Sequence, residues 1–359
     1  MTALQLPDIA PSGHIVVGVD THKHIHVAAV VDTTAGLRST LSVTADRDGF
    51  EKLLAWARSF GRILAFGVEG TGSYGAALTS FIRRHDTLVI EVSRPNRRLR
   101  RLNGKSDTLD AENAARAVLS RTATAIPKVT DGTAEMVRQL KVAYDTAVKA
   151  RTAAMVTLKA MLVHAPDDVR ASAEAKTPLA LAHKFSRLRP SLLENTTDSI
   201  KHTLRSLSRR WISLDEEAGA LNKMIYDLVQ EAVPQLVESY GISTHTAAEI
   251  LIVVGDNPER IKSEAALAKL AGISPIPASS GMTSGRYRIN RGGHRQLNAA
   301  IYRAAIVRMR GHEPTKVYVA RRTAEGKTKR DIVRCLKRYI IREVYRLLRY
   351  GPKVAEYAT

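Results

Sequence analysis

Four carboxylates occur where strands end or a helix begins. Asp20 follows the apolar run HIVVGV, and Glu69 closes the run LAFGVE. Asp107 and Asp110 stand three residues apart at a predicted helix start, in KSDTLDAENAARAV, so both project from one helix face. Four carboxylates meeting at one sheet edge would repel one another unless cations lay between them. Their order, D, E, D-x-x-D, predicts a site for two Mg²⁺ ions, with Mn²⁺ as the alternative, that performs phosphoryl chemistry.

Taken singly, these carboxylates have ordinary structural interpretations. Asp20 could accept backbone hydrogen bonds in a hairpin turn, Asp107 could cap a helix, and Glu69 could be a turn residue. The metal site is therefore favoured by the combination of the four and by no single member.

The first part of the chain, residues 1–125, alternates strand and helix patterns. The runs HIVVGV, HVAAVVD, LRSTLSVTA, RILAFGVE and TLVIEVS read as strands, and DGFEKLLAWARSF and SYGAALTSFIRRH read as helices. We predict an α/β domain in which helices cover a mixed sheet. The Thr- and Pro-rich stretch 121–133 is predicted to be a linker.

The middle part, residues 126–232, is predicted to be a helical coiled-coil segment. Its second half alternates apolar spacings of three and four: Leu204, Leu207, Trp211, Leu214, Ala218, Leu221, Ile225 and Leu228. This pattern fits an antiparallel hairpin, a coil between subunits, or an amphipathic helix on a core. Residues 165–200 carry no pattern that assigns them.

The last part, residues 233–359, is predicted to be a mainly α domain. Short helices break at Gly241, at 255–258 and at Gly272. The stretch YGISTHTAAEIL suits a helix-hairpin-helix that offers backbone N–H groups to a phosphate, or an equally ordinary structural hairpin. A loop rich in Ser, Gly and Arg follows, and then basic helices.

Charge favours a polyanionic partner. Lys and Arg number 55 against 35 Asp and Glu, a formal charge of +20. Residues 286–359 carry 20 basic and 5 acidic side chains, so this segment holds most of the excess. The single cysteine, Cys335, excludes a disulfide framework and a cysteine-based zinc cluster. With no long apolar run, we expect a cytoplasmic protein with no membrane partner.

Three separated motifs resemble one family. GVDTHKHIHVAAVVD, GVEGTGSYG and KSDTLDAENAARA look like the N-terminal DEDD domain of the insertion-sequence-110 transposases, which has an RNase H-like fold of the RuvC resolvase type. The stretch from TAAEILIVVGDN to RINRGGHRQLNAAIYRAA is similar to the second domain of that family. Where the family often has Gly-Asn and Leu-Arg, this chain has Gly293-His294 and Leu297-Asn298.

The resemblance implies a DNA transposase or recombinase with a second reactive group. It implies metal binding by Asp20, Glu69, Asp107 and Asp110, and a serine nucleophile that becomes joined to DNA. The matching residue in PASSGMTSG is Ser280, with Ser279 and Ser284 close enough to be confused with it. A structured guide RNA, donor and target DNA, and assembly as a dimer or tetramer are also implied. The resemblance further implies a prokaryotic protein associated with the nucleoid.

Basic residues near these motifs are predicted to contact nucleic acid. They are Arg94, Arg97, Arg98, Arg100, Arg101, Lys105, Arg286, Arg288, Arg291, Arg295, Lys327, Lys329 and Arg330. A solvated charge run is the ordinary alternative for the arginines before Lys105.

Three other classes compete with a recombinase. A resolvase-like metal-dependent nuclease would share the carboxylates but form no covalent link to DNA. A sugar-kinase-like or actin-like phosphotransferase also begins with a strand, Gly, Asp and a hairpin, although such a basic chain would be unusual for it. A non-catalytic nucleic-acid-binding protein would need only the basic C-terminus, and the four carboxylates would then serve no purpose.

Overall fold

The computed structural model describes residues 13–92, 106–189, 191–278, 287–290 and 292–350. These residues form two units. The first comprises the described residues of 1–132 together with 254–262, and the second comprises those of 133–253 and 263–359. The three segments predicted from sequence patterns, 1–125, 126–232 and 233–359, do not coincide with these units. Their assignment as functional domains remains a prediction.

A five-stranded sheet forms the centre of the first unit. Its strands are β1 (His14–Thr21), β2 (Ile25–Asp32), β3 (Leu37–Thr44), β4 (Arg62–Glu69) and β5 (Val89–Val92). The order across the sheet is β3-β2-β1-β4-β5. β1 to β3 form an antiparallel meander, whereas β4 lies parallel to both β1 and β5. The mixed sheet expected from the alternating patterns is confirmed.

Helices cover both faces of this sheet. They are α1 (Arg47–Arg58), α2 (Ala76–Arg84) and α3 (Asp107–Leu119). Val17 and Val19 of β1 belong to the core beneath α1 and α2, and Val16 belongs to the core beneath α3. Successive side chains of a strand point to opposite faces. Because both faces are covered, β1 reads as a nearly continuous apolar run instead of an alternating one.

The stretch predicted as a linker is part of the first unit. Ala125 forms a β-bridge with Glu91, and the Asn257 side chain donates a hydrogen bond of 3.1 Å to the Pro127 carbonyl. The segment 254–262 thus returns to the first unit from far along the chain. Sequence composition suggested a flexible connection here because Thr and Pro are common in linkers, but these residues make specific long-range hydrogen bonds.

Two long helices form the main body of the second unit. α4 (Thr133–Val163) is followed by two short helices, α5 (Asp167–Ala171) and α6 (Pro178–Ser186), and then by α7 (Thr196–Ala232). The C-terminal half of α4 shares a core with the N-terminal half of α7, so the pair is antiparallel. The stretch 165–200 contributes Val169 and Phe185 to that core through α5 and α6.

The heptad pattern of α7 is divided between two levels of burial. Leu204, Trp211, Ala218 and Ile225, which are seven residues apart, are buried. The alternating row, Leu207, Leu214, Leu221 and Leu228, is only half-buried. The seam therefore packs within one chain. Arg151, which interrupts the apolar pattern of α4, forms an ion pair with Asp215 and lies over the Trp211 ring.

The rest of the second unit is mainly helical. It contains α8 (Pro234–Val237), α9 (Thr244–Val254), α10 (Glu264–Leu270), α11 (Arg295–Gly311), α12 (Glu313–Ala324) and α13 (Lys329–Tyr350). A 3₁₀ turn, Pro258–Arg260, belongs to the first unit, and a two-stranded ribbon joins β6 (Pro275–Pro277) to β7 (Tyr287–Ile289). Among the described residues, no helix is long and apolar enough to cross a membrane.

A buried arginine holds the last helices together. Arg308 of α11 donates two hydrogen bonds to the Glu343 carboxylate of α13, at 2.7 and 3.0 Å. It also donates to the Tyr240 carbonyl at 2.7 Å. A charged group at this depth requires such complete pairing, since leaving it unpaired costs several kcal/mol.

The predicted helix-hairpin-helix is only partly realised. The chain turns at Gly241, where φ is +80°, and α9 begins three residues later. The helix before the turn, α8, is four residues long, which is a single helical turn. The hairpin is present with a short first arm, and its phosphate contact stays a prediction.

Candidate metal centre

Asp20 and Glu69 lie side by side at the carboxyl ends of two parallel strands. The last paired residues of β1 and β4 are Val19 and Val68, so the two acids follow at equivalent positions. Both are buried, with 7% and 9% of their surfaces exposed. The Thr21 hydroxyl donates a hydrogen bond of 2.8 Å to the Glu69 carbonyl and joins the strand ends there. The expected convergence of these two carboxylates follows from parallel pairing of adjacent strands.

The third and fourth acids reach this edge on helix α3. Asp107 and Asp110 occupy its first turn, where Asp110 is buried and the Asp107 side chain is half exposed. α3 lies on the same sheet face as Gly18, and alternation along β1 puts Asp20 on that face as well.

Two glycines allow α3 to approach the sheet closely. A Cβ on Gly18 would stand 1.9 Å from the Ala111 carbonyl oxygen, and one on Gly67 would stand 2.8 Å from the Ala114 carbonyl oxygen. Both distances are far below contact between real atoms. The backbone of α3 therefore rests directly on β1 and β4, and this contact sets the distance of Asp107 and Asp110 from Asp20.

A histidine completes the group. His22 Nε2 lies 3.2 Å from Asp20 Oδ2 and 3.5 Å from Asp107 Oδ2. His22 was not among the residues predicted from the sequence to belong to the site. The available signal was its spacing: two residues after Asp20 at a strand end, a side chain returns to the same face.

The electrostatics of the site disfavour an unaccompanied Asp20 carboxylate. Burial raises the pKa of Asp20 above its usual value; His22 opposes that rise, and the charges of Asp110 and Asp107 add to it. An acid whose ionised form is destabilised by burial and by like charges gains from a nearby cation. Shifts of this kind are concentrated at functional sites.

These atoms fit a divalent cation. One ligand atom from each of Asp20, His22 and Asp107 can be chosen so that all three lie within 4.8 Å of one another. His22 Nε2 is buried yet makes no hydrogen bond of good geometry, although buried polar atoms usually have a partner. A cation held by the two carboxylates would give this nitrogen a ligand bond in place of its contacts with Asp20 and Asp107.

The predicted nucleophile lies outside the described residues. Ser280 and its neighbours Ser279 and Ser284 fall within the segment 279–286, which the structure does not describe. The flanking residues Pro277 and Tyr287 are paired in the ribbon of β6 and β7.

The two departures from the family pattern have structural roles near that ribbon. Asn298 donates hydrogen bonds to the Ala271 and Gly272 carbonyls at 2.8 and 3.1 Å, and Lys337 Nζ donates to Asn298 Oδ1 at 2.6 Å. His294 caps α11, since its Nδ1 accepts from the Leu297 N–H. Both residues hold the start of α11 in place beside the turn at Gly272.

Some of the basic residues predicted to contact nucleic acid lie within the described part of the chain and others lie outside it. Arg288, Arg295, Lys327, Lys329 and Arg330 are exposed. The others lie outside the described residues: Arg94, Arg97, Arg98, Arg100, Arg101, Lys105, Arg286 and Arg291. The contacts themselves remain a prediction for both groups.

Two family models match the chain. The model described as "Transposase", DEDD_Tnp_IS110, matches residues 17–165, which include all four acids and His22. The model "Transposase IS116/IS110/IS902 family" matches residues 234–320, which include Ser280. Together the two matches span more than half of the chain, in the expected order. The chain belongs to the IS110 family of transposases.

Curated proteins with related sequences agree with membership of the IS110 family. The "Insertion element IS110 uncharacterized 43.6 kDa protein" of Streptomyces coelicolor is 31% identical over 157 residues, which are 43% of this chain and 38% of that protein. The "Insertion element IS900 uncharacterized 42 kDa protein" of Mycobacterium paratuberculosis is 28% identical over 40% of this chain and 36% of its own length. The "Pilin gene-inverting protein" of Moraxella lacunata is 28% identical over 43% of this chain and 47% of its own length. Each match covers less than half of the relative.

Proposed function

We propose that the protein is a DNA transposase that cleaves and rejoins the strands of an insertion sequence. The observation that carries this proposal is the group of Asp20, His22 and Asp107 beside the buried acids Glu69 and Asp110. It lies at the end of a sheet with the order β3-β2-β1-β4-β5. That topology supports an RNase H-like fold of the RuvC type, in which carboxylates at these strand ends hold the metal ions.

The role proposed for the four carboxylates is to bind the cations that act on a DNA phosphodiester. Asp20, Glu69, Asp107 and Asp110 would hold two divalent cations, Mg²⁺ or Mn²⁺. Bound cations supply charge stabilisation to the attacking and leaving oxygens of phosphoryl transfer. The close contact of α3 with β1 keeps the acids in place, so little reorganisation is needed when DNA binds.

Ser280 is the proposed nucleophile. Its Oγ attacks a DNA phosphorus, a P–O bond to serine forms, and one P–O bond to deoxyribose breaks to release a DNA hydroxyl. A base takes the serine proton, and a proton is delivered to the leaving deoxyribose oxygen. A second DNA hydroxyl then attacks the phosphoserine and releases serine, so the number of phosphodiester bonds is conserved and no ATP is required.

The partners follow from the family and from charge. DNA is the proposed substrate as donor and target, with the exposed basic residues of α13 and its surroundings contacting phosphates. We further propose a guide RNA encoded by the element, a homodimer or tetramer as the working assembly, and a position at the nucleoid. The family membership and the net charge of +20 support DNA as the substrate, whereas the guide RNA, the oligomer and the nucleoid position rest on the sequence resemblance alone.

The test is a covalent-adduct assay on DNA that carries an end of the element, with its flanking non-coding RNA supplied. The wild-type protein should form an adduct that resists denaturation, and Asp20→Ala and Ser280→Ala should not. Asp48→Ala, which changes an exposed acid on α1, is the matched control and should behave as wild type. Ser279→Ala and Ser284→Ala identify the nucleophile among its neighbours. Metal-dependent cleavage without any adduct would instead indicate a resolvase-like nuclease.

A further inference from the structure

The backbone at His22 is fixed by the hairpin between β1 and β2. The His22 N–H donates to the Ile25 carbonyl at 3.2 Å, and the next residues inward, Thr21 and His26, are paired across the two strands. The Cα–Cβ direction of His22 is therefore set by the sheet. With the backbone fixed, the side-chain conformation of His22 brings Nε2 to Asp20 and Asp107.

The ring nitrogen has the surroundings of a ligand atom. Nε2 is buried and lacks a hydrogen bond of good geometry, although 45% of the His22 side chain is exposed. It lies 3.2 Å from Asp20 Oδ2 and 3.5 Å from Asp107 Oδ2. Two ligands of one ion with bonds near 2.1 Å lie about 3 Å apart in cis positions and about 4 Å apart in trans positions. The observed separations fall within this range.

A nitrogen ligand changes which cation such a site prefers. Mg²⁺ is a hard ion that binds oxygen ligands and keeps several waters. Imidazole suits the transition ions, and affinity for a site with nitrogen rises along the series that begins with Mn²⁺. One imidazole among carboxylates leaves room for either ion but favours the transition metal.

We propose that His22 Nε2 binds one divalent cation together with Asp20 and Asp107, and that this nitrogen makes the site prefer Mn²⁺ to Mg²⁺. The inference rests on the proposed metal-dependent function and assigns one more ligand to the same site. Sequence order alone identified only acidic ligands.

The direct test is pulsed electron paramagnetic resonance of Mn²⁺ bound to the full-length protein. A directly bound imidazole nitrogen modulates the spin echo of Mn²⁺. We expect this nitrogen signal in the wild type, its loss in His22→Gln, and its retention in His24→Gln. His24 is exposed and lies two residues further along the same turn, so it is the matched control.

Affinities measured by calorimetry give a second readout. His22→Gln should lower Mn²⁺ affinity relative to Mg²⁺ affinity by about 10-fold or more, since even residues that only support a metal ligand are worth roughly 10–100-fold. His22→Asp restores a ligand made of oxygen. It should bind cations without a nitrogen signal and shift the preference towards Mg²⁺. Unfolding curves in chelator check that each variant is folded.

The outcomes separate this inference from the proposed function. A nitrogen signal that survives in His22→Gln, or bound Mn²⁺ without any nitrogen signal in the wild type, overturns the role of His22. If DNA strand transfer is normal in that case, the proposed function stands. A His22-dependent nitrogen signal in a protein that forms no DNA adduct supports the ligand and overturns the proposed serine-dependent function. A wild type that binds no divalent cation overturns both.

Discussion

Gly18 of β1 lies against the backbone of Ala111 in α3, so closely that a Cβ on Gly18 would stand 1.9 Å from the Ala111 carbonyl oxygen. Ala111 directly follows Asp110 in the chain, and Gly18 precedes Asp20 by two residues. The contact therefore joins the strand that carries one acid to the helix that carries two others. The geometry of the metal site depends on residue 18 being glycine, which has no Cβ.

Gly18→Ala should move α3 away from the sheet. The added methyl meets backbone atoms, which cannot rotate aside, so we expect destabilisation of about 1–3 kcal/mol, the usual cost of overpacking. Divalent cation affinity should also fall because Asp107 and Asp110 move with α3. Gly72→Ala is the control, since nothing lies within 4 Å of a Cβ there. Denaturant unfolding and calorimetry measure both effects, and a Gly18→Ala protein with wild-type values would refute this account of the helix position.

Asp20→Asn should stabilise the metal-free protein at neutral pH. The folded-state pKa of Asp20 is raised, so its favourable contribution to stability is complete only below its unfolded pKa and is lost as pH rises through the folded value. The Asn variant avoids that loss at pH 7, and its advantage should shrink towards about pH 4, where Asp20 becomes protonated. Urea unfolding in chelator at both pH values is the measurement, with Asp48→Asn as control. An advantage that grew as pH fell would contradict the assigned shift.

At saturating metal concentration the wild type should be more stable than Asp20→Asn. A cation bound at Asp20 stabilises the native state by mass action, and a variant that has lost the ligand gains less. We expect the thermal midpoint of the wild type to rise with Mn²⁺ concentration more steeply than that of Asp20→Asn. Equal slopes for the two proteins would mean that Asp20 holds no cation.

Neutralising the exposed basic residues before and within α13 should weaken DNA binding in a salt-dependent way. Each phosphate contact contributes about 0.9 to the slope of log affinity against log salt for duplex DNA. The triple variant with Lys327, Lys329 and Arg330 changed to Ala should lose up to about three units of slope. The control changes Arg47, Lys52 and Arg58, on α1, which covers the sheet face opposite the carboxylates. Equal slopes for both triple variants would leave α13 without a specific role in binding.

Mixing inactive variants tests whether the active site is shared between subunits. Asp20 belongs to the first unit, whereas residues 263–359 belong to the second. We expect Asp20→Ala mixed with Ser280→Ala to regain some covalent adduct that neither forms alone. Mixed oligomers without adduct would mean that each chain uses its own acids and its own serine.

Local patterns in the sequence were sufficient to predict most elements of the first unit. β1, β2 and β4 are apolar runs that end at acids or polar turns, and alternation within a strand assigns each side chain to a face. Asp107 and Asp110 were assigned to one helix face by their spacing alone. Such predictions succeed because the period of a strand or helix is a property of the local backbone.

Long-range contacts decided what the sequence left open. The heptad pattern of α7 was compatible with an antiparallel hairpin, a coil between subunits or an amphipathic helix on a core, and the structure shows that it packs against α4. The structure also explains Arg151, which forms an ion pair with Asp215. The stretch 121–133 looked like a linker because it is rich in Thr and Pro, and no local pattern reveals that Pro127 accepts a hydrogen bond from Asn257, 130 residues away.

The metal centre divides in the same way. The sequence was sufficient to predict the four carboxylate ligands and the phosphoryl chemistry that they support. These predicted ligands are Asp20, Glu69, Asp107 and Asp110. The sequence could not predict how closely α3 approaches the sheet or where His22 Nε2 lies, because both depend on which backbone atoms come into contact after folding. Gly18 and Ala111 are 93 positions apart along the chain, and no local periodicity relates a strand glycine to the helix backbone that will occupy the space beside it.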